Sequence, residues 1–117
     1  MSMSMSRIFY KVKKHLLKQN AHSQAESMNT CAYRGDNGLK CAVGCLIPDK
    51  MYSYAMEEQG VDKDIVTKAL VSVLGVNVCK REEKIRLLRD LQYTHDTFPP
   101  VDWPDRLAVI QTGYNIA

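Results

Sequence analysis

Residues 30–49, TCAYRGDNGLKCAVGCLIPD, gather three of the four cysteines, three of the six glycines and a turn-forming Asp36-Asn37-Gly38 into one stretch. Glycine and asparagine accept positive φ at little cost, so the chain is expected to reverse direction tightly here. Cys31–Tyr33 reads as a short strand, and the turn after it as the tip of a small hairpin ending at Cys41. The run CAVGCLI that follows is apolar and stops at Pro48, which lacks an amide donor. Its length suits either a buried strand or two turns of buried helix, and helix is the preferred reading. A core built around this segment is the expectation.

Helical periodicity dominates elsewhere. Ile8, Phe9, Val12, Leu16 and Leu17 recur at helical spacing between Arg7 and Gln19, with Lys11, Lys13, Lys14 and Lys18 largely on other faces. Residues 20–29 are polar and read as a connection or a short surface helix. A short helix from Pro48-Asp49 to Gly60 would present Met51, Tyr52, Ala55 and Met56. Another from Val61 or Asp62 would present Ile65, Val66, Ala69, Leu70 and Val73 and close at Gly75. A third, Lys80–Tyr93, carries Ile85, Leu88 and Leu91, before Phe98-Pro99-Pro100 interrupts. Asp102 is placed to cap a last helix through Trp103, Leu107, Ile110 and Tyr114.

The expected fold class is α+β: one mainly helical domain over residues 7–117 with a short β-hairpin, preceded by a flexible lead MSMSMS at 1–6. Its expected core comprises Ile8, Val12, Leu16, Val43, Leu46, Ile47, Ile65, Leu70, Leu88, Leu91, Trp103, Leu107 and Ile110. At 117 residues such a domain can bury a core without metals or disulfides. Without an export signal at its start the chain is expected in the cytoplasm, with free thiols, and no apolar run is long enough for a bilayer. The net charge of +3 comes from 16 basic and 13 acidic residues that interleave. That pattern argues against nucleic acid, which requires cations gathered on one face. Arg34-Gly35-Asp36 spells an integrin-binding tripeptide, but a cytoplasmic chain gives it no receptor.

Three chemical constellations compete with a purely structural role for these residues. Cys31, Cys41, Cys45 and His95 could together hold zinc, Cys41 and Cys45 sharing one helix face, although only one ligand pair has the usual spacing. Cys41 could instead be a nucleophile with His95 and Asp96 in a small hydrolase, since a helix start lowers a thiol pKa. Consecutive residues on a helix point about 100° apart, so Asp49 or another carboxylate would have to orient the imidazole. The His95-Asp96 pair also suggests a metal-dependent phosphohydrolase drawing on His15 or His22 and Asp102 or Asp105, a weaker case that normally needs a larger bundle.

The segments Tyr33-Arg34-Gly35, Lys40-Cys41-Ala42-Val43-Gly44, Leu46-Ile47-Pro48-Asp49 and Leu91-Gln92 with His95-Asp96 resemble a family of small uncharacterised proteins of tailed phages and bacteria. The resemblance runs from Val12 onward and implies a phage or bacterial origin without implying an activity. It suggests an accessory protein that binds and modulates a host or partner macromolecule without catalysis. Tyr33, Arg34 and Tyr54 are the expected binding residues, because tyrosine and arginine dominate interface energetics; Tyr52 serves a core or an interface equally well.

Overall fold

The computed structural model describes residues 2–25 and 31–117. Helix α1 (Met5–Gln19) starts where the Ser4 hydroxyl accepts the Arg7 amide at 3.2 Å, satisfying one of the amides that a helix start leaves free. It ends at Asn20, whose left-handed φ of 51° turns its own amide back to the Leu16 carbonyl. Ile8, Phe9, Val12 and Leu16 are buried, as their spacing predicts. The methionine-serine lead takes part in this element. Met5 and Ser6 are its first residues, and the Met3 amide donates to the Val73 carbonyl at 3.0 Å.

Four further helices complete the frame: α2 (Asp64–Ala69), α3 (Val71–Leu74), α4 (Val78–Thr97) and α5 (Trp103–Gly113). α4 packs on α5, and α1 lies against both. Leu87, Leu88 and Leu91 of α4 meet Trp103 and Leu107 of α5 and the buried face of α1 in one core. The β-prone Val76–Cys79 does not stay extended, because Asn77 caps α4 by accepting the Lys80 amide. The helix expected between Asp62 and Gly75 is interrupted at Leu70, dividing it into α2 and α3. Ile65 faces outward at 37 % exposure, against its expected core role, and Ile110 is only half-buried. Asp102 does not cap α5 with its side chain; a single 3-10 turn at Pro100–Asp102 leads into the helix.

The expected α+β class is corrected to an all-helical one, for no β-strand forms among the described residues. Of the hairpin only an isolated bridge between Arg34 and Lys40 remains, with a second bridge joining Gln24 to Cys31. The physical cause is Glu57. Its carboxylate accepts the Tyr33 amide at 2.8 Å and the Arg34 amide at 3.1 Å, so these donors need no further strand. CAVGCLI is neither strand nor two helical turns. It makes one turn at 42–43 and one 3-10 turn at Gly44–Leu46, yet buries Cys41, Ala42, Val43, Leu46 and Ile47. The helix expected between Pro48 and Gly60 is reduced to two separate 3-10 turns, Asp49–Met51 and Tyr54–Met56. In the 20–29 connection, residues 26–29 lie outside those described.

Candidate functional site

The last turns of α4 carry Gln92, His95 and Asp96, and polar groups from three loops converge on them. His95 is fully buried. Its Nε2 accepts the Ser23 amide at 2.9 Å, which leaves the ring proton on Nδ1, 2.7 Å from Asp96 Oδ1. Gln92 donates to the same Asp96 oxygen at 2.8 Å and accepts the Val43 amide at 3.0 Å. The Cys31 thiol lies within 4.8 Å of the same carboxylate. One carboxylate on α4 therefore draws together the segments around residues 23, 31 and 43. The Trp103 ring stacks on His95 with centroids 5.5 Å apart. Trp103 and His22 both donate to the Phe98 carbonyl, at 2.9 and 2.8 Å.

This arrangement bears directly on the chemistry anticipated for these residues. Among the described residues, the one group of three or more potential metal ligands is Cys31, His95 and Asp96, lying within 4.8 Å of one another. Cys41 and Cys45 are not part of it. Cys45 donates its thiol proton to the Ala42 carbonyl at 3.1 Å, and Cys41 accepts the Gly44 amide at 3.2 Å. Zinc fits this trio poorly in its present bonding. A metal on Nδ1 would displace the ring proton to Nε2, where it would meet the Ser23 N–H donor head on. As base to Cys41, His95 is equally committed, with both ring nitrogens engaged. Cys41 is completely buried, and burial pushes its thiol far above the ordinary value. Of the phosphohydrolase candidates, His22 does lie beside His95, ring centroids 5.4 Å apart, but its Nε2 is given to the Phe98 carbonyl; His15 bonds the Lys40 carbonyl at 2.8 Å, and Asp102 and Asp105 are exposed outside the trio.

Of the expected binding residues, Tyr54 is 67 % exposed, whereas Tyr33 is buried and its hydroxyl donates to the Gln59 carbonyl. Arg34 holds the fold together. Its guanidinium meets Asp49 at 2.8 Å and the Ile47 carbonyl at 2.7 Å, and it lies over the Tyr52 ring. The arginine that begins the tripeptide is therefore tied into the fold, while Asp36 at its end is exposed. Ser23 and Glu57 were not singled out by the sequence, and Gln92 entered only as part of the segment Leu91-Gln92 with His95-Asp96, without a role; the signal available was its place four residues before Asp96 on one helix.

Beside the Asp96 junction opens a cleft of about 380 Å³ between α4 and the loop at residues 57–62. Glu57, Glu58, Asp62 and Asp96 line it against one cation, Arg89, which pairs with Asp62 at 3.1 Å. Glu58 sits at a left-handed φ of 64°, a conformation costing a non-glycine residue about 1 kcal/mol or more. Tyr93 also lines the cleft and is 60 % exposed. The four cysteines differ accordingly. Burial pushes the Cys31 and Cys45 thiols from 9.0 up to about 11, whereas Cys79 is exposed.

Because folding holds these thiols protonated, their contribution to stability is complete below about pH 9 and is lost as pH climbs from there through 11. Urea midpoints measured across that interval should fall steadily. Iodoacetamide at neutral pH should label Cys79 first and Cys41 only after unfolding. Rapid labelling of Cys41 in the native protein would contradict its burial.

Compared with protein-family models, curated proteins and solved structures, the chain finds no match in any of the three. No helix among the described residues is long and apolar enough to cross a membrane.

Proposed function

We propose that this chain is a non-enzymatic binding protein whose acidic cleft receives a basic segment of a partner protein. The observation that carries this reading is the concentration of carboxylates around the cleft in a chain of net charge +3. Glu57 is consumed by internal hydrogen bonds, and Asp96 Oδ1 is taken by His95 and Gln92, so Glu58 and Asp62 supply most of the field, with Asp62 paired to Arg89. A lysine or arginine entering there would gain charge-assisted hydrogen bonds in a partly desolvated setting. Tyr93 offers its ring face to the same cation. The strained backbone at Glu58 supports the reading, since conformations of this kind collect at binding sites. The resemblance of the 30–49 segment adds that the partner is a host protein, with the chain acting as a phage or bacterial accessory protein.

An arginine-rich peptide titrated into the protein by calorimetry should bind saturably, weaken as salt is raised, and lose at least tenfold in affinity in Glu58→Lys. Glu58 is exposed, so this variant should fold. An absence of binding, or equal binding by the charge-reversed variant, would sink the proposal.

A further inference from the structure

We infer that the groove between the C-terminal part of α4 and the end of α5 binds a small aromatic carboxylate. It shares only Tyr93 with the acidic cleft and is independent of the function proposed above. The groove exists because packing between the two helices stops short. Along α5 the inward stripe runs through Trp103, Leu107, Ile110 and Tyr114, but the first two are fully buried and the last two only half-buried. The space left between the helices is about 580 Å³. That lies within the range of about 300–1,000 Å³ usual for small-molecule sites.

Its walls are aromatic and aliphatic. Phe98 and Tyr93 meet edge to face, with centroids 5.9 Å apart and planes at 80°, and Val109 and Ile110 line the opposite side on α5. Tyr93 and Val109 remain 60 % and 66 % exposed. Exposed apolar side chains gathered along one groove mark a ligand site more often than scattered ones do. A planar ring entering here would pack on the aromatic pair in the offset or edge-on geometry that such rings prefer. Gly113 keeps the end of the groove open, for a Cβ added there would meet no atom within 4 Å.

Charge selects among the molecules that would fit. Arg86 and Arg106 line the groove against one carboxylate among the described residues, Asp90, which already accepts the Tyr114 hydroxyl across the gap at 2.5 Å. Arg106 lies over the Phe98 ring, 4.0 Å from its centroid. The ring face steadies the guanidinium and takes none of its in-plane donors, which form the fork that suits a carboxylate. Arg86 stands one turn before Asp90 on α4, near the Tyr114 hydroxyl. A ring bearing a carboxylate therefore uses both parts of the lining. A neutral ring leaves the guanidiniums unused, and a basic ligand is repelled by them.

The test is a titration of isotope-labelled protein with phenylacetate and with its neutral analogue phenylacetamide, followed by amide chemical shifts at constant ionic strength. Phenylacetate should give saturable shifts at Tyr93, Thr94, Ile110 and Gly113, and phenylacetamide should bind at least tenfold more weakly. Arg106 is exposed, so Arg106→Gln should fold, and it should weaken phenylacetate at least tenfold. Gly113 does not have a positive φ, and Gly113→Leu places a side chain in the open space at no steric cost. This variant should abolish binding while thermal stability stays unchanged or rises, which separates a filled groove from a damaged fold. Shifts that never saturate, equal binding of acid and amide, or undiminished binding in Gly113→Leu would overturn the assignment.

Discussion

Replacing Glu57 with alanine should destabilise the protein by about 3–5 kcal/mol, because each buried donor left without an acceptor costs about 1–3 kcal/mol. The carboxylate is 7 % exposed and accepts three hydrogen bonds, from the Tyr33 amide, the Arg34 amide and the Tyr52 hydroxyl. Alanine removes all three acceptors together. The two amides cannot regroup into a β-ladder, since the nearest extended pairing is the isolated Arg34–Lys40 bridge. Glu57→Gln keeps one oxygen and should lose about half as much. Tyr52→Phe removes only a hydroxyl at the periphery and should cost the least of the three. Urea unfolding followed through the single, fully buried Trp103 measures each value. A Glu57→Ala variant as stable as the parent would show that this carboxylate does not organise the loop.

The second large effect falls on the opposite side of the same residue. Gly44 packs against the backbone of Tyr33 so closely that an added Cβ would land on the Tyr33 carbonyl oxygen, far inside van der Waals contact. Both groups are main chain, so no rotamer change relieves the overlap. Gly44→Ala should therefore cost about 3 kcal/mol or more, at or above the upper end for overpacking. Gly38→Ala serves as the control. It meets no neighbour within 4 Å and is penalised only for its φ of 78°, at about 1 kcal/mol. Glu57 and Gly44 position the same Tyr33 backbone, so the double variant should be less destabilised than the two losses added together. Equal melting temperatures for Gly44→Ala and Gly38→Ala would refute the close approach.

Much of the frame was legible in the order of residues. The period of Ile8, Val12 and Leu16 placed α1, because a helix that hides one face must repeat its apolar residues near 3.6. Leu88 and Leu91 placed α4 in the same way, and Pro99-Pro100 marked the corner before α5. Where local pattern failed, a distant group had intervened. Asp36-Asn37-Gly38 does turn, with Asn37 at a φ of 59°, but the hairpin it implied loses its ladder to a carboxylate 24 residues beyond Tyr33. CAVGCLI has enough apolar residues for a helix, but Gly44 is pressed against Tyr33 and the segment turns there.

The candidate site shows the same division. Cys31, His95 and Asp96 were each named from their chemistry, but in different constellations built on Cys41; the structure brings these three together without it. Their roles were not legible, because the proton position on His95 is set by the Ser23 amide, 72 residues away. Cys41 and Cys45 attracted attention as neighbours in sequence, yet their thiols bond within their own loop. The burial of Lys84, only 5 % exposed, carried no signal at all among the alternating charges of α4.

By itself, the order of amino acids determined the long helices α1, α4 and α5, their buried faces and the bends between them, since those follow from side-chain periodicity and from the backbone limits of glycine and proline. Tertiary structure alone decided which polar groups are spent on one another: Glu57 on the Tyr33 and Arg34 amides, His95 on Ser23 and Asp96, and Lys84 on the Leu74 carbonyl. Hydrogen bonds and charges act over a few ångströms of space, and only folding brings residues far apart along the chain within that reach.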